Sequence, residues 1–187
     1  MELVERAVVF ASNAHNGMKR KGSDIPYIIH PAECVAIVSR LTSDCEIIAA
    51  AALHDIIEDT SITEEQLKIE FGEKITRLVC ADSEDKMRDK SASETWKLRK
   101  QKTIAYLKTN AQYDEKIIIL ADKLSNIRSI YNEFLQIGDN LWESFNQKDK
   151  NEHAWYYSSI ADNLCEFSAT TAYNEYIELI DKVFGTV

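Results

Sequence analysis

Only two prolines, Pro26 and Pro31, and five glycines occur in the 187 residues of this chain. From residue 32 onward there is no proline, and Gly72, Gly138 and Gly185 are the strongest local breaks. Proline and glycine are the residues that helices tolerate worst, so a chain this poor in them is free to run in long helices. No stretch shows the strict apolar–polar alternation of a half-buried strand. The expected fold is therefore all-α: a compact, single-domain, multi-helix bundle over residues 1–187, large enough for a substantial core.

Residues 2–16 carry Leu3, Val4, Ala7, Val8, Phe10 and Ala11 at helical spacing, with His15 at the end and Gly17 suited to the C-terminal turn. A basic turn, Met18-Lys19-Arg20-Lys21, and a short loop lead to His30-Pro31, where proline suits the first turn of a helix over 31–41. On that helix Val35, Ala36, Val38 and Leu41 are expected to face inward. Asp44 is a candidate N-cap for the helix that reaches His54. Thr63-Glu64-Glu65-Gln66 has capping-box spacing, opening a helix to Phe71 that Gly72 ends. Ile75, Leu78 and Val79 mark a further short helix. Residues 82–95 are polar and aperiodic, either a connector or a lid. The basic turn Trp96–Lys102 begins another helix, either a solvated face or a phosphate contact. Long helices follow over 113–136, 149–167 and 170–184. The last two turn Trp155, Tyr156, Ile160, Leu164, Tyr173, Tyr176, Ile177, Ile180 and Val183 inward, and His153 toward solvent.

The formal net charge of −9 argues against nucleic acid as a partner, because that binding needs clustered positive charge. A polyanionic ligand would have to be small and held by a local basic patch or a metal ion. The four cysteines, 34, 45, 80 and 165, form no short CxxC pair, so a zinc knuckle is not expected. Cys34 and Cys80 read as core thiols in a reduced chain. No leader and no membrane span are visible, so the expected compartment is cytoplasmic and no membrane partner is expected.

The chemistry concentrates in Ala49–Thr60. A small, apolar run leads into His54-Asp55, and Glu58-Asp59 follow. On this helix positions three and four apart share a face, so Glu58 is expected on the same side as His54 and Asp55. Polar groups on so apolar a helix need partners. A neighbouring carboxylate satisfies a histidine, and so does a metal ion. The same choice arises at Asp122, which interrupts the apolar run Ile117–Ala121 and can be balanced by Lys123 or by a metal. Asn126 lies four residues on, on the same face. His30, His54, Asp55 and Asp122 together make a mixed nitrogen–oxygen set suited to Mn, Fe, Zn or Mg.

Three stretches in this order carry a resemblance. They are Arg20-Lys21 with Pro26-Tyr27-Ile28-Ile29-His30-Pro31, then Ala52–Thr60 with its HDxxED pattern, then Leu120-Ala121-Asp122-Lys123-Leu124-Ser125-Asn126. The chain resembles the HD metal-dependent phosphohydrolases, and more narrowly the hydrolase domain of RelA/SpoT proteins and the stand-alone small alarmone hydrolases. The resemblance implies an HD-type bundle that uses Mn²⁺ to remove the 3′-pyrophosphate from guanosine tetra- and pentaphosphate. It implies His30, His54, Asp55 and Asp122 as metal ligands, Glu58 and Asp59 as the catalytic acidic pair, and Arg20, Lys21 and Asn126 as nucleotide contacts. Two alternatives stand beside it. One keeps the metal and changes the substrate to another nucleotide phosphate. The other is a non-catalytic nucleotide sensor, whose usual mark would be loss of one of these residues.

Overall fold

The computed structural model describes residues 1–82 and 90–185. They form α1 (Leu3–Ala14), α2 (Ile29–Val38), α3 (Cys45–Leu53), α4 (Ile56–Asp59), α5 (Glu64–Phe71), α6 (Glu73–Asp82), α7 (Ala92–Thr109), α8 (Tyr113–Ile137), α9 (Lys150–Asp162) and α10 (Thr171–Phe184). Short 3₁₀ turns cover Gly138–Ser144 and Cys165–Phe167. Extended pairing among the described residues is one isolated bridge, Lys19 to Pro26. The fold is all-α, as the scarcity of breakers implied.

The backbone contacts gather into two compact units: Met1–Ser83 with Gln112–Asp122, and Glu84–Ala111 with Lys123–Val187. Helix α8 is continuous and contributes its first turns to one and the remainder to the other.

The first unit is built round α3, which packs against α1, α2 and α6. Ala49, Ala50, Ala51, Ala52 and Leu53 are at most 1% exposed. Alanine keeps the helix stable and leaves no bulk on its surface, so α1 can lay Ala7 and Ala11 directly on it. The inward stripe of α2 is Cys34, Ile37 and Val38, an i, i+3, i+4 set. Ala36, expected inside, is exposed, and Val35 is half-buried, because both lie off that stripe. Ile117–Ala121 at the start of α8 are all buried, and burying each of the larger side chains contributes about 1.5–3 kcal/mol. Arg77 of α6 forks onto Asp114, at 2.9 Å, and Glu115, fixing α6 to the first turn of α8.

The caps are local and legible. Asp44 accepts a hydrogen bond from the Glu46 N–H, and Thr63 and Gln66 form a reciprocal capping box. Gly72 ends α5 at φ 84°, a left-handed conformation that favours glycine. The expected loop over 82–95 is only partly testable, since residues 83–89, including the acidic Ser83-Glu84-Asp85, lie outside the described residues. Its distal part is helical. Ser91 and Glu94 make an S-x-x-E capping box that starts α7 at Ala92.

In the second unit α9 packs against α7 and α10. His153, expected to face solvent, is 4% exposed. Its Nε2 meets the Gln147 carbonyl at 2.8 Å and its ring stacks on Trp142 at 4.8 Å. It shares a helical face with the buried Tyr156, Tyr157 and Ile160. Two lysines of the basic turn of α7 meet partners within this unit. Lys97 pairs with Glu152 and lies over the Trp155 ring, and Lys100 lies over Tyr156. Arg128 grips Glu175 with Nε and Nη2, each at 2.6 Å.

Candidate metal centre

The helix expected to continue from Ala49 through Glu58 does not do so. Helix α3 ends at Leu53, His54 keeps helical angles, Asp55 sits at φ −92°, ψ 0°, and α4 begins at Ile56. The angles of Asp55 fall in the sparsely used bridge region. The break has a geometric use, since adjacent residues on an uninterrupted helix point about 100° apart. Here the His54 and Asp55 side chains meet, with Nε2 to Oδ2 at 3.0 Å. The Nδ1–H of His54 donates to the Ala51 carbonyl at 2.8 Å, a partner that assigns the tautomer and turns the Nε2 lone pair inward.

His30, in the first turn of α2, and Asp122, on α8, complete the cluster. His30 Nε2 lies 3.1 Å from His54 Nε2, 3.4 Å from Asp55 Oδ2 and 3.1 Å from Asp122 Oδ1. His54 Nε2 lies 3.8 Å from the same Asp122 oxygen. Two imidazole nitrogens and two carboxylate oxygens thus converge from three places in the first unit, and all four side chains are largely buried. Such a set is repulsive unless positive charge sits at its centre. Ligands held about 2.1 Å from a first-row ion stand roughly 3.0–3.4 Å apart at octahedral or tetrahedral angles. Four of the five distances, 3.0 to 3.4 Å, fall in that range, and the fifth, His54 Nε2 to Asp122 Oδ1 at 3.8 Å, lies just beyond it. The Asp122 carboxylate lies against the two histidine rings.

Cys34 Sγ lies 3.9 Å from His30 Nδ1, and His30, Cys34 and His54 offer donor atoms within 4.8 Å of one another. The thiol faces the ring nitrogen opposite the one that meets the carboxylates, so it supports His30 from behind.

Two residues without a role in the sequence reading extend the cluster. The Tyr27 hydroxyl donates to Asp55 Oδ2 at 2.6 Å. Burial first, then the charges of Asp55 and Asp59, push the Tyr27 pKa far above its ordinary value, so the phenol is a fixed donor. His15, 3% exposed, lies against the Tyr27 ring at 4.8 Å, and among the described residues neither of its ring nitrogens has a hydrogen-bond partner. Burial lowers its pKa, against the opposing pull of Asp55 and Asp59. The signal for Tyr27 was its place three residues before His30, which puts both in one turn; His15 was placed only as a helix end.

The other expected site residues lie on α4, in the turn before α2 and further along α8. Glu58 and Asp59 are half-buried on α4, and Asp59 is close enough to act on the Tyr27 hydroxyl. Arg20 is half-buried with its guanidinium 5.8 Å from the Tyr27 ring centre. Lys21 is exposed in the turn between the Lys19–Pro26 bridge positions. Asn126 is one helical turn beyond Asp122, in the part of α8 that belongs to the second unit. The structure therefore brings together His30, His54, Asp55 and Asp122, with Tyr27 and Asp59 adjoining.

Comparison with known proteins gives this geometry a family. A guanosine-3′,5′-bis(diphosphate) 3′-pyrophosphohydrolase of Haemophilus influenzae is 37% identical over 123 residues, 65% of this chain and 18% of that protein. The chain thus matches less than a fifth of that relative's length. The crystal structure of lmo0812 from Listeria monocytogenes EGD-e superposes with TM-score 0.72 at 28% identity, over 84% of this chain and 99% of that one. A structure described as a metazoan ortholog of SpoT that hydrolyzes ppGpp superposes with TM-score 0.76 at 24% identity, over 100% of this chain and 98% of that one, a likeness of fold. No described helix is long and apolar enough to cross a membrane. The HD-domain family model matches residues 7–145, a span that contains the whole His–Asp cluster, so the chain belongs to the HD-domain family, and a divalent metal ion is implied as its cofactor.

Proposed function

We propose that this chain is a metal-dependent pyrophosphohydrolase that removes the 3′-pyrophosphate of guanosine tetra- and pentaphosphate, yielding GDP or GTP and pyrophosphate. The observation that carries the proposal is the convergence of His30, His54, Asp55 and Asp122 with spacings that suit one divalent ion. The name of the Haemophilus relative supports the substrate. Mn²⁺ is the ion that the alarmone-hydrolase resemblance favours.

When bound, the ion supplies Lewis acidity for attack at phosphorus. His30 and His54 offer Nε2, and Asp55 and Asp122 offer one carboxylate oxygen each. The half-buried Glu58 orients the attacking water and takes its proton. Asp59 holds the adjoining network through Tyr27. The water oxygen bonds to phosphorus, the bond from phosphorus to the ribose 3′ oxygen breaks, and that oxygen leaves with a proton. Arg20 has a planar guanidinium that forks onto phosphate or stacks on the base, and Lys21 contributes a point charge. Asn126 keeps its role as a nucleotide contact from the family resemblance. The partner is a small guanosine nucleotide and not a nucleic acid, consistent with the net charge of −9. A nucleotide substrate of this kind makes the cytoplasm the compartment.

A panel of nucleotides tests the substrate. Turnover of guanosine tetraphosphate well above that of GTP, GDP and cyclic dinucleotides is the expected result. Activity confined to the others would overturn the substrate assignment while keeping the metal centre.

A further inference from the structure

A part-buried hydrogen bond adjoins the cluster of four donors. The Tyr27 hydroxyl donates at 2.6 Å to Asp55 Oδ2, the same oxygen that faces the two histidine Nε2 atoms at 3.0 and 3.4 Å. A carboxylate oxygen has two lone pairs, and the hydroxyl occupies one of them. Asp55 itself sits at the break between α3 and α4, as the residue that precedes the first turn of α4. The phenol ring is held in turn. His15 lies against it at 4.8 Å, His30 meets it edge-on at 6.0 Å, and the Arg20 guanidinium is 5.8 Å from its centre.

We propose that Tyr27 is a positioning residue for the metal centre: its hydroxyl locks the Asp55 carboxylate in the orientation that meets His30 and His54, with His15 backing the ring. This rests on the assignment of Asp55 as a metal ligand made above. Groups that hydrogen-bond a metal-ligating side chain from behind typically set metal affinity by 10–100-fold. His15 acts here as a flat packing surface, which agrees with both of its nitrogens lacking a hydrogen-bond partner.

Tyr27→Phe removes the hydroxyl and keeps the ring that His15 and Arg20 touch. The test is Mn²⁺ affinity by calorimetry on the chelator-stripped chain, together with thermal unfolding without metal. The expected result is Mn²⁺ binding weakened about 10–100-fold with an unchanged metal-free melting temperature. Affinity within about twofold of the parent overturns the proposal, and so does a loss of affinity matched by an equal loss of metal-free stability. Asp55→Ala, measured beside it, separates the two levels. If Asp55→Ala binds Mn²⁺ as the parent does, the metal-ligand assignment fails. If it loses Mn²⁺ and Tyr27→Phe does not, the role of Tyr27 alone fails. In a His15→Leu background, where the ring loses its flat backing, Tyr27→Phe is expected to cost less than in the parent, because both changes act on one contact. Full additivity would remove His15 from the account.

Discussion

Asp122→Asn keeps the shape of the side chain and removes its charge. Asp122 is 5% exposed on α8, with Oδ1 at 3.1 and 3.8 Å from the two histidine Nε2 atoms. If it is a donor to a divalent ion, removing its charge costs on the order of 3 kcal/mol of metal binding, or about a hundredfold in affinity. Mn²⁺ at about 100 times the parent dissociation constant stabilises the fold by about 2.7 kcal/mol. For a chain of this size that raises the melting temperature by about 5–10 °C. At the same Mn²⁺ concentration the variant is left with about 0.4 kcal/mol, a shift of about 1 °C. Thermal unfolding followed by far-ultraviolet circular dichroism, with and without Mn²⁺, reads both quantities. The competing account makes Asp122 only a buried ion-pair partner of His30. Removing its charge would then cost about 3–5 kcal/mol in the metal-free protein while leaving the Mn²⁺ increment intact. A variant that melts much earlier without metal, yet gains the full increment with it, would refute the reasoning.

Other expectations follow from neighbouring residues. Glu58→Gln should lower kcat by about 10²–10⁴ with Mn²⁺ affinity unchanged, read by steady-state kinetics beside calorimetry. Loss of metal binding there would move Glu58 into the ligand set. Arg20→Ala should raise KM more than it lowers kcat, since it removes a contact made to the bound nucleotide; a pure kcat effect would contradict that role. His15 binds protons less readily folded than unfolded, because burial lowers its pKa from 6.5. The unfolded chain therefore takes up the proton first as the pH falls below 6.5, and stability declines through that window down to the folded-state pKa. In urea titrations, His15→Leu should show a shallower decline there than the parent, and an identical slope would remove His15 as the cause.

Much of this structure was legible because its signals are local. Asp44, the Thr63–Gln66 box and Gly72 set helix ends by hydrogen bonds within a few residues, and the apolar run Ile117–Ala121 announced a buried helix with Asp122 inside it. The convergence of His30, His54, Asp55 and Asp122 was legible for the same reason: a polar residue in an apolar setting needs a partner. What the periodicity argument missed depends on tertiary contact. The break after Leu53 aims His54 and Asp55 at one point, and no helix rule foresees it in so alanine-rich a stretch. His153 lies in the polar run Asn151-Glu152-His153, and its burial follows from Trp142 stacking on it, eleven residues away. Tyr27 was part of the motif, yet its hydroxyl acquires meaning only when Asp55, 28 residues on, is brought to it.

The account stands most directly on one assay: release of GDP and pyrophosphate from guanosine tetraphosphate by the purified chain with added Mn²⁺, beside the same reaction in chelator. It predicts turnover that chelation abolishes and that returned Mn²⁺ restores. A folded, Mn²⁺-loaded chain that leaves the nucleotide intact, or turnover that persists in chelator, would contradict it.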